Sequence, residues 1–369
     1  MEPLAFDVRT QSLLDVFRFD RDRFEAQRAL LKKTPFSPAL AHIQGALKPI
    51  ERDRYLHVDS TQKDAAKWKK RGEEAIKNGE VAFLLLNGGM ATRFGGIAKG
   101  AATAFNERSF LALRMGQAKD TAKTLGARIT CVLMNSFATD EATKEHLREH
   151  KNFGFPAEDV FTCVQGISLR LTENGELFKD DTGQASMYTP GHGDLPWTLA
   201  VSGVADKLHK RGVKTLFVSN VDNLGCSLDP LVLGAHLSAG KPLSVETIQK
   251  LGKDVGGAPV YVDGKLQLVE GFRFPPGYDQ QQNEGFNTNT FYFDWPALDP
   301  KIALGFYPVA KKVDGRTAVQ FERIVGEVTA HVKTTFLRVP RDDEFGRFLP
   351  VKAPEDLVAL QPVLAKRYQ

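Results

Sequence analysis

The feature that most constrains the fold is a run of six apolar residues, VAFLLL at 81–86, with a glycine-rich stretch directly after it. A wholly apolar run of this length is typical of a β-strand that is buried on both faces of a sheet. Similar runs recur at 129–134, 160–164, 215–221 and 243–248, with helical patterns between them at 139–150 and 196–211. Strands that alternate with helices predict an α/β fold, with a mostly parallel sheet and helices on both faces.

The segments around this core indicate how the chain is organised. Residues 1–75 are interpreted as a helical N-terminal lead-in, which includes a helix over 61–78 that ends at Gly79. Residues 76–369 are assigned to the main domain. Within it, short strands with Gly and Pro turns predict a small antiparallel insert over 258–285. The pattern then predicts a strand at 287–293, a helix at 317–327 and a strand at 335–339.

Composition and charge exclude several classes of protein. The 369 residues are 42% hydrophobic and 25% charged, and the net charge of +4 is too small and too dispersed to indicate nucleic-acid binding. No stretch approaches the roughly 20 apolar residues that a membrane span needs. The three cysteines lie far apart without the paired spacing of a zinc site, and the first residues lack the apolar segment of a signal peptide. We therefore expect a cytoplasmic protein that binds neither nucleic acid nor membranes.

The glycine-rich loop reads NGGMATRFGG over residues 87–96, and Lys99 follows it. Glycines let the backbone turn tightly and let N–H groups approach phosphate oxygens, while Arg93 and Lys99 add positive charge. The loop lacks the Gly-Lys-Ser/Thr ending of a Walker A loop and the GxGxxG spacing of a dinucleotide fingerprint. It therefore predicts a phosphate-binding loop of another kind, and a plain glycine-rich turn is the alternative.

Polar residues follow several predicted strands, where α/β sheets place their ligands. Asp222 is a candidate Mg2+ ligand at the end of one strand, or else a residue that caps a turn. His192 precedes a predicted helix with Asp194 as its N-cap, so a ligand there would meet free N–H groups. The alternative is a histidine bonded to a loop carbonyl. Gln165 ends another strand, and its amide can donate and accept hydrogen bonds at once.

Further candidates are asparagines and lysines. Asn220 and Asn289 lie near strand ends, where each can hold a sugar hydroxyl or serve as an ordinary loop residue. Lys311 and Lys312 stand in the string VAKKVDG. A flexible ammonium can follow charge as it develops on phosphates, whereas a solvated pair of loop lysines is the alternative.

Six strings in this order resemble those of the UDP-sugar pyrophosphorylases. They are LNGGMATRFGG (86–96), NSFATD (135–140), GHGD (191–194), SNVDNLG (219–225), NTN (287–289) and RFLPVK (347–352). SNVDNLG and RFLPVK are most similar to the UTP–glucose-1-phosphate uridylyltransferase branch. The segment AIKNGEVAFLLL is more similar to the N-acetylhexosamine branch.

The resemblance implies a GT-A-like, Rossmann-type catalytic domain over 76–369 that makes UDP-glucose and pyrophosphate from UTP and glucose 1-phosphate with Mg2+. It implies catalytic roles for Arg93, Lys99 and Lys311. It implies nucleotide binding by Leu86, Asn87, Gly88, Gly89, Lys99, Gln165 and Gly191. It implies sugar-phosphate binding by His192, Asn220, Val221, Asp222 and Asn289, with Asp222 also the metal ligand. Lys250 matches a further lysine of the family.

The chain also departs from the family pattern. Ala91 replaces a glycine of the loop, and the proline before the loop lysine is absent. The sequence stops soon after RFLPVK, so we expect no full C-terminal β-helix domain and a monomer or weak oligomer. Two alternatives keep the fold: a UDP-N-acetylhexosamine pyrophosphorylase, and a UDP-sugar-binding protein without catalysis, which Ala91 motivates. An NAD-dependent oxidoreductase is disfavoured because the dinucleotide fingerprint is missing.

Overall fold

The computed structural model describes residues 6–91, 96–252, 254–341 and 345–368. The helices in these ranges are α1 (Val8–Val16), α2 (Arg21–Lys33), α3 (Ala65–Lys77), α4 (Phe110–Thr124), α5 (Asp140–Glu149), α6 (Leu195–Val201), α7 (Val204–Lys210), α8 (Pro230–Ala239) and α9 (Pro354–Arg367). The strands are β1 (Leu47–Pro49), β2 (Leu56–His57), β3 (Val81–Leu86), β4 (Met90–Ala91), β5 (Ile97–Ala98), β6 (Thr103–Phe105), β7 (Arg108–Ser109), β8 (Thr130–Asn135), β9 (Val160–Val164), β10 (Ser168–Leu169), β11 (Met187–Tyr188), β12 (Thr215–Asn220), β13 (Leu243–Gln249), β14 (Ala258–Val262), β15 (Lys265–Val269), β16 (Gly285–Asp294), β17 (Tyr307–Val313), β18 (Arg316–Glu322) and β19 (Thr334–Arg338). None of these helices is long and apolar enough to cross a membrane.

The main sheet, as far as the chain is described, has eight strands in the order β2-β19-β13-β16-β12-β3-β8-β9. The strands β12, β3, β8 and β9 pair in parallel, and so do β13, β19 and β2. Between these groups β16 runs antiparallel to both β12 and β13. The other strands therefore all point the same way, and their carboxyl ends meet at one edge. The predicted mostly parallel sheet is confirmed.

The residues of β3 alternate between two hydrophobic cores, one on each face of the sheet. Phe83 and Leu85 belong to a core that includes residues of α3, α4, α8 and α9, whereas Leu84 and Leu86 belong to a core with residues of α6 and α7. All positions of β3 are buried, as a strand covered on both faces requires. Helices therefore cover both faces, as predicted, and β3 and β9 have the predicted bounds.

The helix predicted over 317–327 is wrong, because residues 316–322 form β18, which pairs antiparallel with β17. The hairpin turns at Asp314 and Gly315, whose φ angles of 49° and 73° suit a tight two-residue turn. Val319 and Phe321 are buried in a third core with residues of α1 and α2. Four successive residues of β18, 318–321, are buried, so the burial of this strand does not alternate. The Asp-Gly turn is the hairpin signal that the helix prediction overlooked.

Two other helical regions differ from the sequence expectation. The helix predicted over 196–211 is divided into α6 and α7, because Gly203 between them adopts a left-handed φ of 70°. Helix α4 follows Ser109, whose hydroxyl accepts the N–H of Ala112 at 3.1 Å as an N-cap. No helix was predicted here because the sequence mixes apolar and charged residues, although seven residues of α4 are buried.

The segment interpreted as a lead-in takes part in the sheets of the main domain. Strand β2 joins the edge of the main sheet beside β19, and β1 pairs antiparallel with β14, which forms a hairpin with β15. Helix α3 packs very closely on α8. A Cβ atom at Gly72 would lie 1.9 Å from the carbonyl oxygen of Pro230, and one at Gly234 would lie 1.7 Å from that of Trp68. Only glycine fits at these two positions.

A buried ion pair joins the segment after β19 to the sheet. Arg347 donates from Nη2 and Nε to the carboxylate of Glu246 in β13, at 2.6 and 2.8 Å. Tyr292 of β16 donates its hydroxyl to the same carboxylate at 3.2 Å. Burial opposes the charged guanidinium, but the charge of Glu246 keeps the pKa of Arg347 above its ordinary value. The guanidinium is therefore charged inside the fold.

We expect Arg347→Met to lower the free energy of unfolding by about 3–5 kcal/mol, because it leaves the carboxylate of Glu246 buried and unpaired. The double variant Arg347→Met/Glu246→Leu should recover much of this loss, since neither charge is then left alone. Urea denaturation measures both effects. Lys48→Met, which breaks an exposed pair with Glu51, is the control and should stay close to the wild type. A double variant less stable than Arg347→Met would contradict this account.

Candidate active site

The glycine-rich loop leaves the carboxyl end of β3 and forms a small hairpin in which β4 pairs with β5. Residues 92–95, which include Arg93, lie outside the described residues. The side chain of Leu86 is buried in the core and is not presented to a ligand. No described atom lies within 4 Å of a Cβ built at Gly89, so its backbone is open to close approach.

Asn87 fixes the start of the loop from inside the fold. Its Nδ2 donates to Asn135 Oδ1 at 2.8 Å and to Thr143 Oγ1 at 2.9 Å. Its carbonyl oxygen accepts from Thr139 Oγ1 at 2.9 Å. The buried side chain of Asn87 therefore supports the loop, with partners that belong to the string NSFATD and to α5.

Gln165 meets the loop at Gly88. A Cβ atom at Gly88 would lie 2.4 Å from Gln165 Nε2, so a side chain at position 88 would displace this amide. The backbone N–H of Gln165 donates to the carbonyl of Asn135 at 3.0 Å, which anchors the residue beside β8. Its Oε1 is buried and has no hydrogen-bond partner within the described ranges. The structure thus brings together two residues that the sequence assigned to the nucleotide.

Lys99 lies at the base of the loop. Its backbone N–H donates to the carbonyl of Gly89 at 3.1 Å, which joins the two ends of the loop. The side chain is buried, and its ammonium lies 4.8 Å from the ring centroid of Phe110 at the start of α4. A cation in contact with an aromatic face is stabilised there while it stays close to the loop backbone.

A hydrogen bond from a backbone N–H fixes His192 in one tautomer. Its Nδ1 accepts the N–H of Val325 at 3.0 Å, so the proton of the neutral ring is on Nε2. Burial lowers the pKa of His192 to about 4, although the charge of Glu322 raises it slightly. Gly191 precedes it at φ 106°, a conformation that favours glycine. His192 can therefore donate one hydrogen bond from Nε2 as a neutral ring.

Asp194 is the N-cap residue of α6, as the sequence predicts, but its side chain does not cap the helix. No cap hydrogen bond from its side chain to α6 is present in the described structure. Its carboxylate instead receives Arg323 Nη1 at 3.2 Å. Burial raises the pKa of Asp194, and the charge of Arg323 opposes that rise. The string GHGD is thus tied to the residue after β18 by an ion pair.

Asn220 and Asn289 are brought together at the end of β12. Asn289 Nδ2 donates to Asn220 Oδ1 at 2.9 Å. The register between β13 and β16 shifts so that Thr288 and Asn289 form a bulge, and Asn289 adopts a φ of 55°. Bulges of this kind redirect a side chain next to an active site. Val221, in contrast, has its side chain in the core, and its N–H donates to the carbonyl of Leu86.

Asp222 combines one paired and one unpaired carboxylate oxygen. Lys352 Nζ lies 2.8 Å from Oδ2. In the described structure Oδ1 is buried and accepts no hydrogen bond. A hard oxygen without a partner at the mouth of a polar cavity is what a Mg2+ ion requires of a protein ligand. Sequence reasoning assigned Lys352 to the string RFLPVK but missed its contact, because the two residues are 130 positions apart.

A cavity of about 250 Å³ opens at this edge of the sheet, and its walls include His192, Asn220, Asp222, Asn289 and Lys352. Four sequence-predicted residues thus line one cavity. Lys250 does not line this cavity. It lines a separate one together with residues of β2, β13 and β19, and its ammonium donates to the carbonyl of Gln280.

Glu270, which follows β15, also lines the cavity around Asp222 and was missed by sequence reasoning. Asn287 Nδ2 donates to Glu270 Oε1 at 3.2 Å. Burial raises the pKa of Glu270 to about 7, against the effect of that hydrogen bond. A single glutamate at the end of a short strand carries no signal in the sequence that would set it apart from a surface residue.

Lys311 lies on β17, paired with Ala318 of β18. Its ammonium lies 2.8 Å from Glu322 Oε1, whose charge affects the pKa of both His192 and Glu270. Lys312 points elsewhere and donates to Thr317 Oγ1 at 3.0 Å. Of these two lysines, Lys311 is therefore the one paired with Glu322, and the hairpin is the element that positions it.

Arg114 is a second residue that sequence reasoning missed. It lies on α4 and is fully buried. Its guanidinium donates to the carbonyl of Asn223 and, at 2.6 Å, to Ser219 Oγ. These contacts hold the Asn223 carbonyl and the Ser219 side chain, on either side of Asp222, and they place a positive charge beside the SNVDNLG turn.

The fold and this cavity define an α/β protein with a ligand site at the carboxyl edge of its sheet, beside a glycine-rich loop. A family model described as UTP–glucose-1-phosphate uridylyltransferase matches residues 36–368, and the chain belongs to that family. The enzyme of that name from Hordeum vulgare is 30% identical over 298 residues, and that from Solanum tuberosum 31% identical over 301. Both alignments cover 76% of this chain, but the chain spans only 62% and 61% of these relatives.

The fold is also similar to that of solved structures. A UDP-glucose phosphorylase from Trypanosoma brucei superposes with a TM-score of 0.75 at 23% identity, over 95% of this chain and 78% of that chain. An identity this low establishes the shared fold alone. The resemblance seen in the six sequence strings is thus confirmed by the family match.

We expect the stability of the protein to depend on pH through Glu270. Its folded pKa of about 7 exceeds the ordinary 4.5, so its contribution is complete below pH 4.5 and is lost as the pH rises through 7. Gln cannot ionise. The free energy of unfolding of the wild type should therefore fall by up to about 3 kcal/mol relative to that of Glu270→Gln as the pH rises across this range. Urea unfolding of both proteins at the two ends of the range measures this difference. A constant difference would contradict the raised pKa.

Proposed function

We propose that this chain transfers the uridylyl group of UTP to glucose 1-phosphate, which yields UDP-glucose and pyrophosphate. The observation that carries the proposal is the convergence of the glycine-rich loop, Gln165 and the polar cavity around Asp222 at one edge of the sheet. Membership of the uridylyltransferase family supports the same reaction. Because the chain spans less than two thirds of its relatives, its own activity requires a direct test.

The uridine would bind where Gln165 meets Gly88. The unpaired Oε1 of Gln165 can accept the N3–H of uracil, and Nε2 can donate to a uracil carbonyl. Since a Cβ at Gly88 would collide with this amide, glycine at position 88 is needed for the base to be bound in this way.

The triphosphate would extend from the base along the glycine-rich loop. Open backbone at Gly89 allows N–H groups to approach phosphate oxygens, and Lys99 at the base of the loop contributes positive charge. We assign a similar role to Arg93. Lys311 would reach the phosphates from the hairpin, and in the absence of nucleotide its charge is balanced by Glu322.

The sugar phosphate would occupy the cavity. His192 offers a donor at Nε2, and the carbonyl oxygen of the Asn289 amide is buried without a partner in the described ranges. Asn220 orients that amide. Glu270, with its pKa of about 7, can both accept and donate a hydrogen bond near neutral pH. These groups suit the hydroxyls of a hexose.

The phosphate of the sugar is already ionised at neutral pH, so the reaction needs no general base. The residues act by holding the phosphate oxygen in line with the α-phosphorus of UTP and by neutralising charge. Mg2+ would be held by Asp222, with phosphate oxygens and water completing its coordination. The ion would supply positive charge that stabilises the charge developing on the phosphates.

We also propose a GT-A-like, Rossmann-type organisation for the catalytic domain. It is supported by the order of β3, α4 and the parallel neighbour β8, which is the crossover unit of such folds. The ligand cavity at the carboxyl edge of the strands is consistent with the same organisation.

Release of pyrophosphate should require UTP, Mg2+ and a sugar 1-phosphate, with glucose 1-phosphate turned over fastest. The assay compares glucose, galactose and N-acetylglucosamine 1-phosphates, and chromatography identifies the UDP-sugar. Turnover with the N-acetyl substrate alone would favour the hexosamine alternative. Tight binding of UDP-glucose without any pyrophosphate release would favour a non-catalytic sensor.

Lys311→Ala should reduce the rate of pyrophosphate release at least ~100-fold with UTP binding retained, because the lost charge acts mainly in the transition state. Lys312→Ala is the matched control, since its ammonium contacts Thr317 and points away from Glu322. Steady-state kinetics and isothermal titration with UTP separate rate from binding. Equal losses in both variants would argue against a specific role of Lys311.

A further inference from the structure

The end of helix α5 carries a cluster of metal-binding side chains that the proposed reaction does not use. His146, Glu149 and His150 each place one ligand atom so that all of these atoms lie within 4.8 Å of one another. These residues lie close together because residues three and four positions apart share one face of a helix. No other group of three or more such residues meets this criterion in the described part of the chain.

Neighbouring residues orient both imidazoles without any help from a metal. His146 Nε2 lies 2.8 Å from Ser109 Oγ, the N-cap of α4, and this hydrogen bond leaves Nδ1 for another ligand. The ring of His150 stacks on Phe153 with an interplanar angle of 13°. The two imidazole centroids are 4.5 Å apart. A hydrogen-bonded second nitrogen is the arrangement that usually fixes a metal-binding histidine.

Phe153 is itself held in an unusual backbone conformation. Lys151, Asn152 and Phe153 all have positive φ, between 50° and 53°, which few residues other than glycine adopt. Lys119 donates to the carbonyl of Phe153 at 2.7 Å and stabilises this turn. This turn places the ring of Phe153 at the end of α5, where it stacks on His150.

The electrostatic surroundings also favour a cation. The last carbonyl groups of a helix carry a partial negative charge, and the cluster lies at the carboxyl end of α5. The basic residues of the same helix are paired with other carboxylates, Arg148 with Glu145 and Lys144 with Asp140.

We propose that His146, Glu149 and His150 form a binding site for a divalent transition metal of the zinc type. Two imidazole nitrogens and one carboxylate oxygen suit Zn2+, Ni2+ or Co2+, whereas Mg2+ prefers oxygen ligands alone. Three protein ligands leave at least one position for water. Because all three ligands belong to one helical turn, the metal would stabilise the end of α5 and leave the distant Asp222 unaffected.

The test uses the full chain without a histidine tag, stripped with EDTA and titrated with Zn2+ in a large excess of Mg2+. We expect one Zn2+ per chain by calorimetry, and Co2+ should give the visible absorption of a low-symmetry site. His150→Ala changes an exposed residue and should weaken Zn2+ binding at least ~10-fold, since even the loss of an outer partner has such an effect.

Two further variants complete the experiment. Glu149→Gln should also weaken binding, because it removes the charged ligand without changing the shape of an exposed side chain. His331→Ala removes an exposed histidine elsewhere and should bind Zn2+ as the wild type does. Thermal unfolding without metal confirms that each variant is folded. The proposal is overturned if the wild type binds no Zn2+, or if either cluster variant binds it as tightly as His331→Ala.

Discussion

Arg347 and Glu246 form a charged contact inside the fold, where neither group has water to replace its partner. They lie 101 residues apart, so the contact fixes the path of the chain after β19. The carbonyl of Arg347 accepts Asn223 Nδ2 at 3.1 Å, and the N–H of Leu349 donates to Asn223 Oδ1 at 2.9 Å. These bonds hold the turn that presents Asp222. The ion pair therefore determines the position of the candidate metal ligand without touching it.

Glu246 also shapes the other wall of the cavity. Its backbone carbonyl accepts Thr288 Oγ1 at 2.9 Å, and Thr288 belongs to the bulge that turns Asn289 toward Asn220. One residue of β13 thus joins the bulge of β16 to the segment that carries Arg347. The antiparallel direction of β16 allows this bulge to face the carboxyl end of β12. Strain at Asn289, with its φ of 55°, is offset by the contacts of its neighbours.

Sequence reasoning succeeded where one physical rule dominated the local structure. Strands β3 and β9 were predicted with their observed bounds because short, mostly apolar runs between polar residues indicate strands. The segment 317–327 was predicted as a helix because the Asp-Gly turn before it was overlooked, whereas residues 316–322 form the strand β18. Within the site, Asp222 and His192 were recognisable from their positions after or before regular elements. Glu270 and the role of Lys352 were not, because their significance depends on partners remote in sequence.

The two proposed cation sites differ in the ligand atoms that they offer. Asp222 offers a carboxylate oxygen without a hydrogen-bond partner among the described residues in the wall of the cavity, and such a ligand suits Mg2+. The cluster on α5 offers imidazole nitrogens, which bind zinc-like metals far more strongly than Mg2+. Helix α5 contributes to the loop and to the cluster through different residues. Thr143, near its start, accepts a hydrogen bond from Asn87 of the glycine-rich loop, whereas His146 and His150 lie toward its end. A metal at the cluster would therefore stabilise the support of the loop without competing for the nucleotide.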